Sequence, residues 1–396
     1  MSGVFVLGVA AHPWGKFPDL TQRDLAVRTL SAALADAGLP AARLQGLVAA
    51  SSRFEGGLGW GLHANEILQT ACESGAAAVN VGGGCAAGAI AVHTAATMIA
   101  SGQADIVAAV GAERMPKGFI PRPPGAADDA TDTDFIRWVA VGATNPAYWA
   151  LEARRRMTEV GTTEETLAQA VVAMRTNALG NPLARFRSSC HVGDVLNSPM
   201  VSDPLHLLQI CAVSDGAAAV ILGSEEQARA LGVPLVQVAG SAVATGSFGD
   251  PAARIPTISA NPVPGTQHTS EVGNAVTRAR EVAGISAHDV DILEMADNSA
   301  WHVLAWPETL GFMAVGQADW LLAQDRLARG GPVAINPSGG FLSFGEATTA
   351  QGVLQVCELV WQLRGQAGDR QVPGARIGQT AVLGLGANGS SVVLKA

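Results

Sequence analysis

At 396 residues the chain is long enough for two or three domains with ample core, which excludes the small disulfide scaffolds. With 25 basic against 34 acidic residues the formal net charge is −9, and 15% charged with 48% hydrophobic residues describes neither a disordered acidic tail nor a polyanion binder, so nucleic acid is not an expected partner. Cysteines at positions 72, 85, 190, 211 and 357 form no CxxC pair, which argues against a disulfide framework or a zinc site and fits a reducing cytoplasm; no metal site is expected.

The opening MSGVFVLGVAAHPWGKF alternates like a first strand and lacks the basic segment and long apolar core of a secretion signal. A helix is predicted from Thr21, a good N-cap, through Leu25, Leu30 and Leu34 to Gly38, a good C′ residue, followed by a strand at Gly46 to Ala50. The uncharged run from Ser74 to Ala104 is broken by Asn80, Gly82, Gly83, Gly84, His93 and Gln103, so it reads as buried strand, turn and helix rather than a membrane span. Cys85 falls where the strand AAVNV passes through the three glycines into the helix AAGAIAVHTAATMIASG. A helix N-terminus stabilises negative charge on a thiolate, and flanking glycines let a carbonyl approach the backbone amides. The alternative is a small, buried, inert cysteine.

Residues 115 to about 200 interrupt the pattern with MPKGFIPRPPG and two predicted helices, near 147–159 and 163–178. From Arg137 to Arg187 this insertion holds seven arginines against four glutamates, a local excess of positive charge in an acidic protein. It reads either as a solvated helix face or as a surface for a phosphate-bearing ligand.

The second half repeats the first. Ser270 caps a helix ending at Gly284, and Asp289 to Ala296 follows as Gly46 to Ala50 follows Gly38, at an offset of 246. The turn VNVGGGC around Asn80 matches INPSGGF around Asn336 at an offset of 256. Each leads into a long helix and a Gly-flanked apolar strand, ADIVAAVGAE in one half and TAVLGLGANG in the other. The expectation is an α/β architecture of two duplicated halves: residues 1–114 with 201–235, an inserted loop domain at 115–200, and a C-terminal half at 236–396.

These residues carry a resemblance over nearly the whole chain. CAAGAIAVHTAATMIASGQADIVAAVGAERM resembles the nucleophile segment of thiolases, and SDGAAAVIL at 214–222 resembles the segment that closes their N-terminal half. The run from INPSGGFLSFGEATT to LGLGANGSSVVL is similar to the sterol carrier protein-type thiolases, also called lipid-transfer proteins. The resemblance implies a layered αβαβα fold with a loop domain, a cytoplasmic or peroxisomal homodimer, and action on coenzyme A thioesters without a further cofactor. It also implies a dimer contact through edge pairing near residues 105–112.

Carried over by position, Cys85 matches the acyl-accepting nucleophile. The family's activating histidine falls at Glu346 in FGEAT, and its enolate-binding pair falls at Ala296 and Asp297, with Asn298 or Ser299 in place of a cysteine found in some relatives. GLGANGSS lacks the second, proton-shuttling cysteine. An ionised glutamate repels a thiolate and a protonated one cannot accept a proton, so Glu346 reads as a poor substitute; His63 and His302 are the alternative bases. Trp301 and Trp306 are expected to line apolar volume, and His93 and His206 to be packed helix residues.

The expected coenzyme A contacts are Arg154, Arg155, Arg185 and Tyr148 of the insertion, with the turn residues Gly340 and Gly386. Three activities remain open: acyl or carbon–carbon chemistry through Cys85, a retro-aldol lyase acting with a small OB-fold and zinc-ribbon partner, and a catalytically silent subunit that organises a partner.

Overall fold

A computed structural model describes residues 3–51, 62–71, 74–116, 144–245, 270–384 and 388–396. The N-terminal half runs β1 (Val4–Ala11), α1 (Gln22–Asp36), β2 (Gly46–Ala50), α2 (Ala64–Ala71), β3 (Ala77–Val81), α3 (Ala87–Ala100) and β4 (Ile106–Arg114). The insertion contributes α4 (Asn145–Val160), α5 (Glu164–Ala178), α6 (Val192–Leu196) and a hairpin of β5 (Met200–Ser202) and β6 (Leu205–His206). β7 (Asp215–Ser224) and α7 (Glu225–Leu231) close the first half. The second half runs β8 (Gln237–Thr245), α8 (Glu271–Ala283), β9 (Ile292–Met295), α9 (Ala300–Thr309), α10 (Gln317–Leu322), β10 (Ala334–Ile335), α11 (Gly340–Phe344), α12 (Thr348–Leu363), β11 (Ile377–Gly384) and β12 (Asn388–Lys395).

Local chemistry sets the helix limits as the sequence predicts. Thr21 accepts from Asp24 N while Asp24 accepts from Thr21 N, and the chain leaves α1 through Gly38 at φ 66°. At α8, Ser270 Oγ accepts from Gly273 N, and the chain leaves the helix through Gly284 at φ 64°.

Among the described residues ten strands hydrogen-bond in the order β10-β9-β11-β12-β8-β1-β7-β4-β2-β3, and the two sets of five repeat one topology. In the first, β2 is parallel to β3 and β4, β4 is antiparallel to β7, and β7 is antiparallel to β1. In the second, β9 is parallel to β10 and β11, β11 is antiparallel to β12, and β12 is antiparallel to β8. The join is the β1 to β8 pairing at Phe5 and Gln237. Even the asparagine of each repeated turn does the same work: Asn80 bonds Ser51 just beyond β2, and Asn336 bonds both backbone groups of Met295 at the end of β9.

α3 and α12 pack on each other and each touches strands of both halves, while α1 and α8 cover the outer faces. The helices cross where side chains vanish. A Cβ on Gly88 would lie 2.5 Å from Thr349 O, and one on Gly352 would lie 2.5 Å from Ala89 N. One expectation fails here: β4 lies inside the sheet between β7 and β2, so residues 105–112 offer no free edge. The free edge of this half is β3, with Ala77, Ala78 and Asn80 exposed. Among the described residues no helix is long and apolar enough to cross a membrane.

The crossing gives a direct test. Gly352→Ala is expected to destabilise the protein by about 1–3 kcal/mol, because the added methyl meets backbone rather than a mobile side chain; the urea-unfolding midpoint measures it.

Candidate active site

Cys85 sits in the short turn Gly84–Ala86 directly before α3, buried at 8% exposure. Gly83 at φ 156° and Gly84 at φ 57° make that turn possible. Gly384, at the end of β11, lies against it: any side chain there would strike Gly83 O and Ala86. The two halves therefore meet at the cysteine.

Glu346 reaches Cys85 from the other half. It lies two residues before α12, is buried, and its Oε1 stands 3.2 Å from Cys85 Sγ. Burial raises its carboxyl above the usual range, while hydrogen bonds from Cys85 and Asn298 pull it back. The contact makes Glu346 a hydrogen-bond partner of Cys85. Repulsion requires two charges, but thiol with carboxylate, or thiolate with carboxylic acid, carries one proton and one negative charge in either arrangement. The N-termini of α3 and α12 both approach that charge.

The segment 210–214 joins the site loops. Ile210 bridges Ser299 and Val213 bridges Glu346, Cys211 N donates to Asn298 O at 2.9 Å, and Ser214 N donates to Glu346 O at 2.8 Å. Asn298 turns its amide toward Glu346 and places Nδ2 3.6 Å from Cys211 Sγ. Burial and the neighbouring Glu346 push the Cys211 thiol well up, so it stays protonated. Cys211 is thus a second thiol of the cluster, which sequence reasoning missed. Its one signal was position, three residues ahead of SDGAAAVIL.

Other expected residues have different work. Asp297 is fully buried and accepts from Phe341 N at 2.6 Å and Leu342 N at 3.4 Å, so it caps α11. Burial pushes its carboxyl up to about 8. Gly340, at φ 61°, is required because a side chain would strike that carboxylate and Asn336. His302 is not a base for Cys85: its Nδ1 accepts from Ser299 N at 3.1 Å, its ring packs edge-on against Trp149, Trp301 and Trp306, and burial drops it to about 3. His63 opens α2 in the loop that Asn80 pins through Leu62 O and Ala64 N. Ala296 offers only backbone, its N–H donating to Ala381 O.

The arginine run divides. Arg154 forks onto Asp203, Arg155 pairs with Glu159 at 2.9 Å, and Arg156 is buried on Glu308 and Asp319. Arg154 and Arg155 are thus paired yet exposed on the surface, whereas Arg156 is committed to the interior. Arg185 instead donates to Val213 O at 2.8 Å and Ser214 Oγ at 3.2 Å, behind Glu346. Tyr148 is buried beside Trp149. Gly386 lies outside the described residues.

Two duplicated α/β halves with a buried cysteine at a helix N-terminus, facing an acid–base group from the other half, define a class built for chemistry at a carbonyl. The chain belongs to the thiolase family: the family's N-terminal domain matches residues 4–226 and its C-terminal domain-like region matches residues 258–395. It is 34% identical to the acetyl-CoA acetyltransferase of Methanothermobacter thermautotrophicus, over 99% of each chain. It is 32% identical to benzoylsuccinyl-CoA thiolase subunit BbsB of Thauera aromatica, over 78% of this chain and 76% of that one, and 32% identical to bovine (Bos taurus) sterol carrier protein 2, over 97% and 70%. Among solved structures it resembles the Ltp2-ChsH2(DUF35) aldolase, with TM-score 0.81, 27% identity and coverage of 100% and 98%. Human mitochondrial 3-ketoacyl-CoA thiolase shares the fold at TM-score 0.71 and 17% identity, with coverage of 100% and 99%.

The buried ionisable groups predict how stability varies with pH. The Asp297 and Glu346 carboxyls, raised on folding, hold protons that the unfolded chain releases, so stability falls as pH rises from the unfolded carboxyl value toward the raised one, near 8 for Asp297. His302, lowered on folding, costs stability as pH falls below its ordinary 6.5. The thermal midpoint is expected to decline between pH 6.5 and 8, with each such carboxyl contributing at most about 1.4 kcal/mol per pH unit. Asp297→Asn should flatten that decline. A scan of wild type and variant by differential scanning fluorimetry checks it.

Proposed function

We propose that the protein is an acyltransferase acting on a coenzyme A thioester, with Cys85 as acyl acceptor and Glu346 as its base. The carrying observation is the 3.2 Å contact between Cys85 Sγ and Glu346 Oε1. Glu346 takes the thiol proton as the sulfur adds to the thioester carbonyl. The tetrahedral adduct then expels coenzyme A as thiolate, Glu346 returns the proton to it, and Cys85 keeps the acyl group. Amides at the start of α3 are placed to stabilise the oxyanion. Coenzyme A enters as part of the substrate, and no separate cofactor is invoked.

Acyl transfer through Cys85 is supported by the acetyltransferase and thiolase relatives. The likeness to an aldolase that pairs Ltp2 with a DUF35 protein favours a second reading, a retro-aldol lyase working with a small OB-fold and zinc-ribbon partner. In that reading Glu346 is the base and Cys85 is never acylated. We also read the protein as a cytoplasmic homodimer whose copies pair along β3, since of the sheet's two edge strands among the described residues β10 is buried and β3 is exposed.

Intact mass spectrometry after incubation with acetyl-CoA is expected to show one added acetyl group, lost in Cys85→Ala. Glu346→Gln keeps the hydrogen bond but cannot accept the proton, and should slow acylation about 10²- to 10⁴-fold. An unacylated wild type, with cleavage of a β-hydroxyacyl-CoA retained in Cys85→Ala, selects the lyase. Ala78→Lys should convert a dimer into a single 40.4 kDa chain by sedimentation equilibrium. Wild-type protein already sedimenting as one chain would remove the dimer.

A further inference from the structure

Arg175 stands apart from the other deeply buried arginines. Arg156 is held by Glu308 and Asp319, Arg370 by Glu358, and Arg364 by Asp36. Arg175 is 8% exposed, and among the described residues no acid pairs with it; its buried Nε, like those of Arg156 and Arg364, has no hydrogen-bond partner there. Its guanidinium carbon lies 4.2 Å from the centre of the Phe186 ring, and that of Arg185 lies 4.8 Å from the same ring. Burial lowers the Arg175 guanidinium; of the titratable groups beside it, the Cys190 thiol favours its charge and the Arg185 guanidinium opposes it, and no carboxylate is among them. A buried charge without a counter-charge is costly to keep, so one that is retained calls for something that answers it.

The two arginines are also wired to the site. Arg185 donates to Val213 O and Ser214 Oγ, Val213 bridges Glu346, and Ser214 Oγ donates to Phe344 O. Beside Arg175 in α5, Met174 O accepts from Ser343 Oγ, and Ser343 O in turn accepts from Phe186 N. The ring and both guanidiniums thus stand on the backbone that carries α11 and Glu346, with Cys190, partly exposed, near enough to Arg175 for their charges to interact.

We propose that Arg175 and Arg185, braced on Phe186, form a subsite for an anionic oxygen group, a carboxylate or a phosphate, next to the catalytic loop. A planar guanidinium matches either group in a two-point hydrogen bond, and the aromatic ring fixes its plane without consuming its donors. Only the identity of the carrier, a coenzyme A thioester, rests on the function proposed above. The subsite then selects substrates with a second negative charge, either on the acyl chain or on the nucleotide.

Titration calorimetry of the full chain with sodium phosphate reads the subsite without coenzyme A. Wild type is expected to bind phosphate, Arg175→Met to weaken binding about tenfold or more, and Arg175→Lys, which keeps the charge, to fall between them. Two further pairs find the source of the anion: succinyl-CoA against butyryl-CoA for a carboxylate, and coenzyme A against 3′-dephospho-coenzyme A for a phosphate. The pair whose preference collapses in Arg175→Met identifies the group. In phosphate-free buffer Arg175→Met should melt above wild type, because an unanswered buried charge has been removed. Equal affinities of wild type and Arg175→Met for phosphate and for all four coenzyme A compounds overturn the proposal, as does a lower melting point with unchanged affinities. If neither protein binds butyryl-CoA or coenzyme A while phosphate still separates them, the coenzyme A reading falls and the subsite stands.

Discussion

The crossing of α3 and α12 at Gly88 and Gly352 is the constraint from which the site follows. Two helices that touch backbone to backbone near their N-termini bring the turns before them together, and those turns carry Cys85 and Glu346. Gly111 of β4 lies against Thr349 O in the same way, so the sheet fixes the height at which the helices cross. The partnership is thus made by tertiary packing between residues 261 positions apart in the chain. A methyl group added at Gly88 or Gly352 would meet the backbone of the facing helix.

What was legible in the sequence was local. Caps at Thr21 and Ser270, glycines at 38 and 284, and the triple-glycine turn before Cys85 each state a backbone conformation in a few neighbouring residues, and the structure has all of them. The repeat was legible for the same reason, since both copies reuse one turn around Asn80 and Asn336. What was not legible depends on residues far apart. Nothing near Arg154 announces Asp203 as its partner, and nothing in a lone cysteine at 211 announces Asn298 and Glu346. The place of β4 within the sheet depends on β7, which returns from beyond the insertion. His302 misled because proximity in sequence to Asp297 was read as proximity to the nucleophile, whereas its ring turns to three tryptophans and a helix cap.

The C-terminal half concentrates buried acid groups. Glu294 is buried with Ser338 donating to it, Asp297 caps α11, and Glu346 faces Cys85, all raised by desolvation. Such groups lower stability near neutral pH, so their placement trades fold stability for hydrogen-bond geometry around one short stretch of chain. The hydrogen bonds they accept orient α11, and α11 with the 210–214 segment sets where Glu346 can lie. The geometry of the site and the loss of stability as pH rises are therefore two readings of one set of contacts.

The repeat has a last consequence. At the offset that aligns Asn80 with Asn336, Cys85 falls on Phe341, and it is Phe341 N that donates to the Asp297 carboxylate. Both copies of the turn lead into a helix, and in the second the first amides of that helix are held by the oxygens of Asp297. A side chain of the protein caps the second copy permanently, like a cork, whereas no side chain caps the start of α3 in the first. The repeat thus holds one turn in two forms, a sealed one that stiffens the scaffold and an uncapped one that carries Cys85.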